Sequence, residues 1–166
     1  MKRFLLSLPL CALMSAPALA AEPKLEGTFT DWKVYSRTDS GDKSCYAIAS
    51  PTTSSPKNVK HGEIYFLVSN WKSGAAKEQP SFLAGYPLKT TRAPKARVGS
   101  NSITMYPSDN EAFVESGSDE RSLVAKMRAG ATMRVTAVSA RGTETSYQFS
   151  LKGITAALRK AKSACQ

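Results

Sequence analysis

From Phe29 to Leu151 the apolar residues of this chain recur mostly at every second position, in short runs separated by Gly, Pro, Asp, Asn and Ser. A period of two places alternate side chains on opposite faces of an extended strand, and short runs between turn formers favour strands over long helices. Phe29, Trp32, Val34 and Tyr35 open the first stretch, and Cys45, Tyr46, Ala47 and Ile48 make a second. Ile64, Tyr65, Phe66, Leu67 and Val68 form a third that ends at Trp71, and residues 81–88 form a fourth, stopped by Pro87. Residues 103–106 and 112–115 are shorter candidates, and 133–138 and 146–151 alternate again. The β-branched and aromatic residues collect in these runs. The pattern predicts a mainly β chain folded as one sandwich-like or barrel-like domain. Residues 21–27 read as a loose polar arm and 50–60 as a connecting loop.

Two segments break the period. Residues 119–129 carry Leu123, Val124 and Met127 at helical spacing, with Ser118 or Asp119 to cap the start and Gly130 to end it. Near the C-terminus, Leu151, Ile154, Leu158, Ala161 and Cys165 fall at steps of three and four, which lines one face of a helix. Arg159, Lys160 and Lys162 lie off that face, towards the end where the helix dipole favours cations. The expectation is therefore a C-terminal helix and one short internal helix.

The first twenty residues decide the compartment. Lys2 and Arg3 precede an apolar run over 4–14, and Ala18-Leu19-Ala20 supplies a small-x-small cleavage site. This is the three-part pattern of a cleaved secretory signal peptide, and it predicts a periplasmic or secreted protein. Cleavage after Ala20 leaves 166 − 20 = 146 residues, 21–166, a length that suits one domain. No later apolar run reaches spanning length, so the mature chain is not expected to be an integral membrane protein.

Export also changes the cysteine arithmetic. Cys11 falls in the leader, after Leu10, where a lipoprotein signal would need a small residue. Cys45 and Cys165 remain, and two cysteines in an oxidising space most simply form one disulfide. The closed loop would hold about 120 residues, for which chain entropy gives roughly 4–5 kcal/mol before strain. Such a bond would pin the tail helix to an early strand. Two cysteines and the lone His61 are too few for a metal site, and Cys-x-x-Cys redox spacing is absent, so no metal or other cofactor is expected.

Charge points to a class of partner. The whole chain is +10, and loss of Lys2 and Arg3 leaves +10 − 2 = +8. A positive field favours anionic polysaccharide or lipid headgroups, and export makes nucleic acid an unexpected partner. Lys89, Arg92, Lys95 and Arg97, with Tyr86 just before them, are the densest basic stretch and the candidate anion-binding residues. Pro94 and the lack of apolar periodicity make that stretch read as a loop, and a solvated charged loop is its simplest explanation.

Catalytic constellations are weak. Ser69-Asn70-Trp71-Lys72, Ser108-Asp109-Asn110 and Lys89-Thr90 echo the elements of penicillin-binding enzymes. The Lys-Thr element comes before the Ser-Asp-Asn element, reversing the usual order, Thr91 stands where Gly is needed, and Ser69 ends a strand-like run instead of opening a helix. His61, in a polar stretch beside Lys60, reads as a solvated loop histidine with no Gly-x-Ser-x-Gly elbow to serve. Asp39 and Asp42, Asp109 and Glu111, and Asp119 and Glu120 sit among turn formers or at a helix start, where capping explains them. Trp32 and Trp71, in apolar runs, read as core. The expectation is a non-enzymatic protein.

Four stretches carry a resemblance to a known family. They are Asp31-Trp32-Lys33-Val34-Tyr35; Cys45-Tyr46-Ala47-Ile48 with Pro51; Gly85-Tyr86-Pro87; and Arg141-Gly142-Thr143 leading to Ser150-Leu151-Lys152-Gly153, Ala156-Ala157 and Cys165. In this order they resemble the invasion-associated locus B family of exported proteobacterial proteins. The resemblance implies a β-rich periplasmic or envelope-associated protein with an envelope or host-surface partner, in a family linked to bacterial entry into host cells. The chain departs from relatives with more cysteines, so a second disulfide is not implied.

Overall fold

The computed structural model describes residues 22–166; the expected leader and Cys11 lie outside them. Along the chain run β1 (Lys24–Phe29), β2 (Trp32–Asp39), β3 (Asp42–Ala49), β4 (Thr53–Ser55), β5 (Tyr65–Trp71), β6 (Gln79–Leu83), β7 (Lys95–Val98), β8 (Asn101–Ser108) and β9 (Glu111–Val114). Then follow α1 (Gly117–Ala129), β10 (Thr132–Val138), β11 (Glu144–Ser150) and α2 (Ile154–Ala164). The strands pair antiparallel in the order β1-β2-β3-β5-β6-β9-β8-β7-β10-β11-β4, an open sheet with free edges at β1 and β4.

β8 turns this ribbon into two layers. Its first half, Asn101 to Thr104, pairs with β7, and its second half, Met105 to Ser108, pairs with β9. The two halves of the sheet meet face to face through Phe66 on β5 against Phe149 on β11, ring centroids 5.8 Å apart, and Phe82 on β6 against Tyr147 on β11, 5.5 Å apart. Trp32 is fully buried between the layers and donates its indole Nε1–H to Ser150 O at 3.0 Å. The mainly β, sandwich-like class with two helices is thus the observed fold. Trp71 departs from the expected core role, being only half-buried at the end of β5.

The alternation seen in the sequence sets the faces. On β10, Met133, Val135 and Ala137 point inward while Thr132, Arg134 and Thr136 face solvent. Three short strands differ from expectation. Residues 24–27, read as part of a loose arm, belong to edge strand β1; the segment 50–60 contains β4, which pairs with β11; and Lys95–Val98 is β7 rather than loop. These are two edges and one four-residue strand. In β7 the inward residues are only Ala96 and Val98, which give little apolar signal.

Both helices cover the inner side. α1 is capped by Ser116 instead of Ser118 or Asp119: Ser116 Oγ accepts from Asp119 N at 3.1 Å, two residues earlier than the sequence implied. It buries Leu123, Val124 and Met127 and closes at Gly130. α2 buries Ile154, Ala157, Leu158 and Ala161 and packs against β1, β2, β3 and β5. Its far end is held twice. The Cys45–Cys165 disulfide joins it to β3, with Cα atoms 5.7 Å apart, and Lys43 Nζ donates to Ala164 O at 2.6 Å. Glu26 on β1 accepts from Ser36 Oγ at 2.8 Å and lies 3.6 Å from Lys160 of α2. The Ser36 hydrogen bond, with help from Lys24 and Lys160, holds the Glu26 carboxyl below its ordinary range.

Candidate functional site

The first candidate is the outer face of the layer made by the start of β8, then β7, β10, β11 and β4. Register fixes its rows. Ser102, Arg97, Arg134, Gln148 and Thr53 stand side by side, and the next row is Thr104, Lys95, Thr136, Ser146 and Ser55. Arg97 and Arg134 are therefore directly opposite each other across β7 and β10. Neither β7, β8 nor β10 contains a carboxylate, and neither Lys95 nor Arg134 makes an ion pair among the described residues. Like charges facing each other destabilise a sheet, so the pair raises the local potential at the expense of stability.

The structure regroups the sequence candidates. Lys95 and Arg97 share the face just described. Arg92 instead pairs with Glu144 at 3.3 Å, and Lys89 is tied through its backbone N–H to Val138 O at 2.8 Å, beside the Leu88–Ser139 bridge. Arg134 is the residue that sequence reasoning missed. Its outward position on β10 is readable from the alternation, but its neighbour Arg97 lies on a strand that is not adjacent in sequence.

The second candidate is a cleft of about 640 Å³ bounded by residues 59–61, 85–87 and the β10–β11 turn 139–143, with Thr145 beneath. Its wall is tightly built. A Cβ on Gly85 would lie 2.5 Å from His61 O, and one on Gly62 would lie 2.9 Å from Gly85 O. Only glycine lets these two backbones touch. Ala140 N–H to Pro87 O, 2.8 Å, joins the turn to the opposite wall.

A chain of hydrogen bonds forms the floor. His61 Nε2 meets Pro56 O at 2.8 Å, and His61 Nδ1 meets the Tyr147 hydroxyl at 2.8 Å. Tyr147 meets Tyr86 at 2.9 Å, Tyr86 meets Thr145 at 2.7 Å, and Thr145 donates to Ala137 O at 3.1 Å. The histidine expected to be a solvated loop residue is instead half-buried with both ring nitrogens engaged, because β11 brings Tyr147 to it from 86 residues away. Both ends of the chain are carbonyl oxygens, which only accept. Burial, reinforced by the Tyr86 hydrogen bond, pushes the Tyr147 hydroxyl far above its ordinary range, so it remains a phenol.

The serine constellation is not assembled. Ser69 on β5 and Ser108 on β8 are separated in the sheet by β6 and β9, and Asn70 turns inward opposite Cys45. At about 4.8 Å per strand the two serines are roughly 14 Å apart at least. The carboxylates take local duties. Asp42 accepts from Ser73 Oγ at 2.6 Å, which holds it below its ordinary range, and Asp39 pairs with Arg37. Among the described residues no cluster of His, Cys, Asp and Glu could hold a metal ion, and no helix is long and apolar enough to cross a membrane.

A family model described as "Invasion associated locus B (IalB) protein" matches residues 32–162. Among solved structures, the chain is similar to the crystal structure of invasion associated protein b from Bartonella henselae, with a TM-score of 0.56 and 11% sequence identity. That similarity covers 87% of this chain and 98% of the other. No curated protein matches the sequence significantly.

Proposed function

The chain belongs to the invasion-associated locus B family, and we propose that it is an exported, non-enzymatic envelope protein that acts through surface contacts. The contact surface in this reading is the outer face carrying Lys95, Arg97 and Arg134, and its partner is an anionic polysaccharide of the envelope or of a host-cell surface. The facing pair Arg97 and Arg134 carries the reading, because neither strand that bears it contains a carboxylate. Flanking Ser, Thr and Gln side chains add hydrogen-bonding groups suited to sugar hydroxyls. A lipid surface is the weaker match, since the exposed large apolar residues, Leu25 and Tyr106, lie on other strands of the sheet or beyond this face. A contribution to host-cell contact follows the family name.

Heparin provides the test. The Arg97→Ala/Arg134→Ala variant should bind heparin roughly tenfold more weakly, since two exposed charge contacts contribute up to about 1 kcal/mol each. The same variant should be about 0.2–1 kcal/mol more stable, because it removes a like-charge pair. Arg92→Ala and Lys89→Ala should change binding little. Unchanged retention of the double variant, or equal loss on Arg92→Ala, would sink the reading.

A further inference from the structure

We propose that the cleft over His61, Tyr86 and Thr145 is a binding site for an acidic sugar, a uronic acid either free or at the end of a polysaccharide. This site is separate from the basic sheet face and does not rest on it.

Its lining defines the ligand. Lys60 and Arg141 stand at the rim and make no ion pair among the described residues, and no carboxylate lines the cleft. Two unmatched cations beside a half-enclosed space favour an anion, and a guanidinium grips a carboxylate through two parallel hydrogen bonds. The rest of the lining is not that of a simple phosphate site. Tyr86 and Pro87 give an apolar wall against which a sugar ring can lie, while Ser139, Thr143 and Thr145 bring hydroxyl oxygens. The volume, about 640 Å³, falls in the usual range of small-molecule sites.

The site is also preformed. The Gly62–Gly85 contact, the Ala140–Pro87 hydrogen bond and the chain from Pro56 to Ala137 fix its three walls against one another. A ligand then loses little to reorganisation of the protein. Gly142, at φ +90°, turns the chain just after Arg141, and Gly142 N–H closes the turn on Ser139 O at 2.8 Å, which holds Arg141 at the rim. Two of the stretches that carry the family likeness, Gly85-Tyr86-Pro87 and Arg141-Gly142-Thr143, meet here although they are more than fifty residues apart in the chain.

The protein contains one histidine, so its ring signals report on the cleft floor without ambiguity. Titration of the full mature chain with D-galacturonate, followed by two-dimensional NMR, should shift the His61 ring signals and the amides of 59–62, 85–86 and 139–145. Galactose, which lacks the carboxylate, should bind at least tenfold more weakly. Arg141→Ala, on an exposed turn, should weaken galacturonate binding by a similar factor and leave the spectrum otherwise folded. Arg97→Ala/Arg134→Ala should leave it unchanged, so failure here and failure of the polysaccharide reading are separable. A trimer of galacturonate distinguishes the sources: saturation by the monomer identifies a free sugar, and binding by the trimer alone identifies a chain end. No shift with either, equal shifts with galactose, or equal shifts with inorganic phosphate would overturn the proposal.

Discussion

Replacing both halves of the disulfide, as Cys45→Ala/Cys165→Ala, will lower the unfolding free energy by about 2–5 kcal/mol. The bridge spans 120 residues of sequence, nearly the whole described chain. Its main effect is on the unfolded chain, which it holds in a closed loop, and the entropy removed grows only slowly with loop length. In the folded state the two cysteines sit where packing already brings β3 and α2 together, through Lys43 and Ala164 and through the buried Leu158 and Ala161. The variant should therefore keep its fold in water and unfold at lower urea. The midpoint should fall, and the slope should rise if the unfolded chain expands once released. A midpoint unchanged within error would show that the unfolded chain gains nothing from release.

Gly153→Ala is expected to be nearly as damaging, by about 2–5 kcal/mol, although it adds a single methyl group. Two effects combine. Gly153 has φ +88°, a left-handed conformation that strains any residue with a Cβ. A Cβ there would also lie 2.0 Å from Phe29 O, a backbone atom of the β1–β2 turn that cannot move without disturbing the edge pair. Asp31 N–H reaches Lys152 O at 3.4 Å beside it, so the start of α2 and that turn are built as one unit. Gly142→Ala is the control: its φ is +90° but nothing lies within 4 Å of the added atom, so only the conformational part should appear. Thermal melts of the two variants separate strain from overlap. Equal losses would mean that the turn gives way at no cost.

Legibility in the sequence followed from where the apolar signal was strong. The buried strands β2, β3, β5, β10 and β11 were visible because each places at least two large or β-branched residues on one face. β1, β4 and β7 were not, since an edge strand can be polar on both sides and a four-residue strand offers only two inward positions. The α2 stripe was clear, but its left-handed glycine start carries no side-chain cap to read. The sites were harder. Lys95 and Arg97 could be singled out as a local cluster, whereas Arg134 joins them only through the non-consecutive β7–β10 pairing. The cleft is built from three loops, and His61 looked solvated because its partner Tyr147 is on a strand far along the chain. One signal does lie in the sequence: Gly85-Tyr86-Pro87 supplies a backbone contact, a hydroxyl and a rigid wall in three residues.

The proposed function places the Cys45–Cys165 disulfide in an oxidising space outside the cytoplasm, where the basic face would meet anionic sugars. Intact-mass analysis of the protein recovered from the periplasmic and extracellular fractions tests this most directly. The expected species begins at Ala21 and gains mass on thiol alkylation only after reduction. A chain retained in the cytoplasm with Met1 to Ala20 still attached, or one whose two thiols alkylate without reductant, would contradict it.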